Sequence, residues 1–168
     1  MQHGFQRATL APYGFAIDAV QVAPDRIQIP LRSRQPWGTC LGCGGRSRLV
    51  QSRYRRRPAD LPLGGRRVEL SILTRRFWCD GVLCGRRIFC ERFGEDVLAR
   101  SSRRTQRLET IVHHLGLASG GRPAASFADH LMIPVSKDTL LRVVRGRVTE
   151  HGGTLSVIGI WLNLRVRF

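Results

Sequence analysis

The chain has 168 residues, a formal net charge of +16, a 42% hydrophobic share and five cysteines. That length holds one ordinary domain or two small ones, and the apolar content is enough for packed cores, which excludes a wholly disordered chain. No apolar run approaches the roughly 20 residues of a membrane span, and the opening MQHGFQRATLAPYGF lacks the apolar stretch of a signal peptide, so a cytoplasmic protein that does not meet a membrane is expected.

Almost all of the positive charge is arginine; Lys137 is the only lysine. A field of this strength attracts polyanions, nucleic acid first among them. The same arginine bias also follows from a GC-rich genome, and both readings stand at this point. An odd number of cysteines in a cytosolic chain favours metal ligation over structural disulfides.

In chain order, residues 1–16 read as an N-terminal tail. Residues 17–34 read as a short hairpin: Ile17, Ala19 and Val20, a turn at Pro24 and Asp25, then Ile27, Ile29 and Leu31 alternating with polar residues. CLGCGG is a tight glycine-rich knuckle, and residues 46–57 suit a basic strand. DLPLGG, residues 60–65, reads as a turn. Val68, Leu70 and Ile72 alternate as a half-buried strand does, CDGVLC is a second knuckle, and RRIFCERF a closing strand. Residues 17–93 are therefore expected to form a small β-rich module, with a linker at residues 94–102.

The texture then becomes helical. Leu108, Ile111, Val112 and Leu115 recur at i, i+3, i+4 and i+7, one stripe of a helix that the following glycines end. Pro123 suits the first turn of a second helix with Phe127, Ala128 and Leu131 inward. MIPV is a short break. Ser136 is placed to cap a third helix, over residues 136–145, with Asp138 in its positive first turn and Leu140, Leu141 and Val144 inward. The fold class expected is α+β: a zinc-ribbon-like module, then three helices over residues 103–147.

The cysteines carry the chemistry. Cys40 and Cys43 form C-x2-C, 35 residues intervene, and Cys79 and Cys84 form C-x4-C. Two such knuckles bring four thiolates around one tetrahedral ion, and a small domain gains a staple from it. The expected cofactor is one structural Zn²⁺ held by Cys40, Cys43, Cys79 and Cys84. Cys90 competes for a place but sits in the closing strand, where a small apolar filler is the simpler reading. No histidine has the spacing that would make a catalytic partner for a thiol. Arg75, Arg76, Arg86, Arg87 and Arg92 surround the module and either follow phosphates or form a solvated face.

Helix, glycine break, helix, short break, helix describes a helix-turn-helix unit, with a generic three-helix packing as the alternative. In the first reading the third helix presents Lys137, Thr139, Arg142 and Arg145 to the major groove, since these types suit guanine edges and phosphates. Arg147, past the expected helix end, and Arg103 and Arg104, ahead of the first helix, complete the expected DNA contacts.

The order of these pieces resembles a known family. C-x2-C is followed by Tyr54 within a run of arginines, DLPLGG, RRFWC, RRIFCERF, RRTQRLETIVHHLGLASGG and PVSKDTLLRVVRGR. This is similar to the N-terminal region of the ISL-three family of bacterial insertion-sequence transposases, over about residues 17–160. The resemblance implies a zinc-binding domain and a helix-turn-helix domain that both bind double-stranded DNA at the element's terminal repeats, in a nucleoid-associated protein. It also implies that the strand LSVIGI, residues 155–160, opens an RNase-H-like catalytic domain whose first aspartate follows directly. Here Trp161 follows instead, and the tail of residues 148–168 reads as a truncated start of that domain. Two-metal phosphoryl transfer needs several converging carboxylates, and the twelve acidic residues are scattered. The expectation is the DNA-binding portion of a transposase without catalytic activity of its own, with homo-oligomerisation left open. The rivals are a stand-alone zinc protein acting in transcription or protein interaction, and an enzyme made only as part of a longer product.

Overall fold

The computed structural model describes residues 10–148. The expected start of a catalytic domain, including Leu155–Ile160 and Trp161, falls outside the described residues. The fold is α+β, a β-rich N-terminal part followed by three helices.

The sheet is built on one long strand, β8 (Arg66–Trp78). Side chains alternate across a strand, so Val68, Leu70, Ile72 and Thr74 are buried together on one face. β3 (Arg26–Ser33) runs parallel to it in a register that sets Ile27 beside Val68, Ile29 beside Leu70 and Leu31 beside Ile72. The two rows form the main core with Ala11, Phe15 and Leu98. β1 (Phe15–Ile17) and β2 (Gln21–Val22) pair antiparallel with β3, the latter across the turn at Pro24 and Asp25. A parallel pair needs a long crossover, and here it consists of β4 (Gly38–Thr39), β5 (Arg46–Ser47), β6 (Val50–Arg56) and β7 (Ala59–Leu63). β6 and β7 return antiparallel to β8, on the edge away from β3. β9 (Ile88–Cys90) pairs with the last residues of β8.

DLPLGG is not a turn throughout. Its first four residues belong to β7, and only Gly64 and Gly65, at φ 57° and 69°, turn the chain. Pro62 is tolerated because it lies in the register irregularity between Asp60 and Leu63, where no ladder N–H is required.

Near its end β8 buries the opposite face. Phe77 is fully buried, stacks on Phe89 with ring centroids 5.7 Å apart, and forms a second small core with Cys40. Gly38 lies flat against these rings: a Cβ there would stand 2.6 Å from Phe77 Cδ2 and 2.9 Å from Phe89 Cε2. Gly38→Ala is therefore expected to destabilise the protein by about 1–3 kcal/mol through overpacking, measured by urea unfolding. Phe77→Leu in the same chain should restore part of that loss. An unchanged urea midpoint for Gly38→Ala would mean that the rings are not held as described.

α1 (Gln106–Ser119), α2 (Gly121–His130) and α3 (Lys137–Val148) pack around Leu108, Val112, Ala124, Ala128, Ile133, Leu140 and Val143. Thr105 caps α1, its hydroxyl accepting from Leu108 N. Ser136 caps α3, accepting from Thr139 N at 3.3 Å. The inward faces differ from the periodic reading. Ala128 is buried as expected, but Ile111, Phe127, Leu131 and Leu141 are exposed, and Ala124 and Val143 take interior places instead. At Gly116 α1 meets α3 too closely for any side chain, since a Cβ there would meet Val144 Cγ2 at 2.6 Å, while Leu108 and Leu140 fill the core beside it. The break between α2 and α3 is also wider than MIPV, spanning residues 131–136, with Met132 in the left-handed region and Ile133 plugged into the core. α3 continues to Val148, so Arg147 lies within the helix rather than beyond it.

The expected linker, residues 94–102, is packed rather than loose. Leu98 is in the main core, and Arg56 Nη2 donates to the carbonyls of Ala99 at 3.0 Å and Ser102 at 3.1 Å. Ala59 N donates to Arg103 O and Thr105 N to Ala59 O, tying β7 to the start of α1. Beside them the buried carboxylate of Asp60 accepts from Thr105 Oγ1 at 2.7 Å and from Arg107 Nε at 2.7 Å, with Arg107 Nη2 on its other oxygen. Ala59 and Leu61 lie against the helical core, so sheet and helices share one seam.

Candidate metal centre and nucleic-acid interface

Cys40 follows β4 and Cys79 follows β8, so two strand ends deliver one thiol each to the same point. The knuckles supply the other two. At the first, Gly44 N donates to Cys40 O and Cys40 N to Gly45 O, with Gly44 at φ 72°, a tight turn that returns Cys43 toward Cys40. At the second, Cys84 N donates to Gly81 O.

The four Sγ atoms lie within 4.8 Å of one another, with Cys40–Cys84 at 3.8 Å and Cys43–Cys79 at 3.6 Å. A tetrahedron with Zn–S bonds of about 2.3 Å has sulfurs about 3.8 Å apart, so the set fits zinc. Glycines make the room: a Cβ on Gly42 would stand 3.1 Å from Cys84 Sγ, and one on Gly81 3.1 Å from Cys43 Sγ. Backbone hydrogen bonds from Gly42 and Cys43 hold the Cys40 thiol down to about 6. The Gly81 backbone pulls Cys79 down as well, but burial and the neighbouring thiols outweigh it and push Cys79 up to about 12. Sulfurs crowded this way resist ionising together; a divalent cation removes that conflict and displaces the protons. Cys90 is exposed on β9 and outside the cluster, so it is neither a ligand nor the apolar filler expected.

The arginines around the ribbon have unequal roles. Arg75 is structural: its guanidinium bonds the buried Glu91 at 3.0 and 2.5 Å, donates to Gln35 O, and lies 4.9 Å over the Phe77 ring. Arg76 stacks over Tyr54 at 5.0 Å. Arg86, Arg87 and Arg92 are exposed.

An open cleft of about 1260 Å³ lies between the sheet and α3. Arg103, Arg104, Thr139 and Arg142 line its helical side, and Arg26, Arg57, Arg67 and Arg100 the other. Four of the expected DNA contacts thus come together. Lys137 and Arg145 are exposed on α3 outside this cleft; Arg145 borders a shallower hollow with Asp138, Leu141 and Arg142. Arg104 is mostly buried and held by Glu109 at 2.7 Å, which makes it part of the wall.

Residues 37–84 match the family model of the zinc-finger of transposase IS204/IS1001/IS1096/IS1165. The ribbon resembles that transposase zinc finger. The matched span holds all four cysteines and both knuckles, and with the sulfur geometry it supports a structural Zn²⁺ at Cys40, Cys43, Cys79 and Cys84. It also supports an N-terminal region of the ISL-three type of transposase, although it covers less than half of the chain. No curated protein and no solved structure matches the chain. Among the described residues, no helix is long and apolar enough to cross a membrane.

Sequence reasoning missed two groups beside the ribbon. The Asp60–Thr105–Arg107 seam joins residues 47 positions apart, and no local pattern announces it. The cleft arginines of the sheet side come from β3, the end of β6, β8 and the connector. Only the run RYRRRP hinted at them, and it could not say where they would meet.

Proposed function

We propose that this chain is the DNA-binding portion of an insertion-sequence transposase, recognising element ends without cutting them. A transposase-type zinc ribbon directly followed by three packed helices carries the reading. The helices act as a helix-turn-helix, with the N-terminal half of α3 in the major groove. Arg142 reads a base edge, and Lys137, Thr139, Arg145, Arg147 and Arg103 supply further base and phosphate contacts. Arg142 is exposed on α3 and, among the described residues, has no carboxylate within 4 Å, which leaves its guanidinium available for a bidentate contact to guanine. The protein acts in the cytoplasm on nucleoid DNA. The absence of strand cleavage rests on Trp161 standing where the resembling family has its first catalytic aspartate.

A second reading, a zinc protein that docks other proteins, draws on Val82 and Leu83, which are fully exposed at the second knuckle. One experiment separates the two. Duplexes enriched by the purified chain from a random pool are titrated with salt against parent, Arg142→Ala and Arg147→Ala proteins. Arg142→Ala is expected to cost about 1–3 kcal/mol on the enriched duplex and much less on random DNA. Arg147→Ala should weaken both alike and lower the salt slope by about 0.9. With Mg²⁺ or Mn²⁺ present the duplexes should stay intact. Variants that bind both DNAs as the parent does would remove α3 as the reader, and reproducible nicking would overturn the non-catalytic assignment.

A further inference from the structure

We propose that the cleft between the sheet and α3 grips the DNA backbone from both sides, with Arg57 and Arg100 holding phosphates that flank the stretch facing α3. This deepens the reading above and rests on it for the orientation of the duplex.

Charge pairing singles these residues out. Within the cleft, Arg26 pairs with Asp25, Arg67 with Asp129 and Arg104 with Glu109. Among the described residues, Arg57, Arg100, Arg103 and Arg142 have no carboxylate within 4 Å, and all four are exposed. They stand on four separate places in the chain: past the end of β6, on the connector, ahead of α1, and on α3. Uncompensated like charges facing one open space repel one another, and a polyanion laid along that space relieves the repulsion.

The acids only partly offset them. Glu109 and Asp25 are taken up by the pairs just named. Glu69, which accepts from Gln28 Nε2 at 3.0 Å, and Glu95 keep their charges, and seven arginines against four acids leave the cleft net positive.

The walls are also fixed relative to each other. Arg56 clamps the connector to β6 through the Ala99 and Ser102 carbonyls, and the Asp60–Arg107 pair locks β7 to α1. The backbone positions that carry these arginines are therefore set before DNA arrives, which reduces the ordering cost of binding to that of the side chains. Ser101 lines the same cleft and adds a hydroxyl donor of the type that contacts phosphate. A cleft of about 1260 Å³ lined by seven arginines is far larger than a single small anion needs, which suits a backbone with repeating phosphates.

The test uses the full chain and a mixed-sequence duplex of about 30 base pairs, roughly three helical turns, titrated with KCl. The Arg57→Ala, Arg100→Ala double variant is expected to lower the salt slope by about two units, each lost phosphate contact contributing about 0.9. Its preference for the enriched duplex over random DNA should stay at the parent value, and its thermal melt should match the parent because both side chains are exposed. Arg53→Ala with Arg55→Ala, an equal loss of charge on β6 outside the cleft, should leave the slope near that of the parent. An unchanged slope in the cleft variant, or an equal drop in the β6 control, overturns the proposal. If the cleft variant behaves as the parent while Arg142→Ala loses sequence preference, the clamp fails and the α3 reading stands. If the cleft variant loses slope while Arg142→Ala keeps its preference, the clamp stands and α3 is not the reader.

Discussion

Cys84→Ser is expected to reduce bound zinc from one equivalent per chain to near zero after dialysis against a chelator, and to melt the ribbon end of the sheet. A structural zinc contributes about 10–16 kcal/mol of apparent binding free energy at neutral pH, as much as the whole stability of an ordinary domain. The small core that it supports is only Cys40, Phe77 and Phe89 with Val50 alongside, too little apolar surface to persist by itself. The main core is separate: Ile29, Leu31, Leu70 and Ile72 are fully buried without any contribution from the cysteines. Hydrogen exchange should therefore show lost protection first in residues 37–47 and 78–90, with β3 and the middle of β8 retained longest. Cys90→Ser, at an exposed position outside the cluster, should keep its zinc and melt within about 0.5 kcal/mol of the parent. Zinc lost from Cys90→Ser but kept by Cys84→Ser would refute the ligand set.

Arg107→Ala is expected to be the most damaging change away from the metal, at about 3 kcal/mol. The carboxylate of Asp60 is 1% exposed, whereas the Arg107 side chain keeps 38% of its surface in contact with water. Removing the arginine leaves a buried charge with only the Thr105 hydroxyl for company, the situation that costs about 3–5 kcal/mol when a buried pair is broken. The partial exposure of Arg107 sets the figure at the low end. Asp60→Asn should cost less, because an amide oxygen still accepts from Thr105 and Arg107 can turn toward water. For a chain of this size, 3 kcal/mol lowers the melting temperature by about 6–12 °C. An unchanged melting temperature for Arg107→Ala would mean that the docking of helices on sheet does not depend on this pair.

These two sites show which features were legible in advance. The zinc ligands announce themselves because a tetrahedral thiolate site needs pairs of cysteines on tight turns, and both the spacing and the glycines are local. The start of the third helix was legible for the same reason: Ser136 and its hydrogen bond to Thr139 lie within four residues of each other. The seam was not. Asp60 sits in a segment whose Pro and Gly-Gly mimic a turn, and its burial follows from partners 45 and 47 residues away. The parallel pairing of β3 with β8 is non-local in the same way, since alternation in each strand reveals a face but not a neighbour. The helical stripe misled differently. Periodicity placed Phe127, Ala128, Leu131 and Leu141 inward, yet of these only Ala128 is buried, and at Gly116 α1 meets α3 with no room for a side chain. Arg75 read as either a phosphate contact or part of a solvated face, because its partner Glu91 and its ring Phe77 become neighbours only once β9 has paired with β8.

The measurement that tests the account most directly is sequence selection by the zinc-loaded chain from a random duplex pool, repeated with Arg142→Ala. The account predicts that the parent converges on a defined motif and that Arg142→Ala loses preference at one position of it while still binding duplex in a salt-dependent way. A pool that stays random after repeated rounds, or a motif that is identical with and without Arg142, would contradict recognition of DNA by α3.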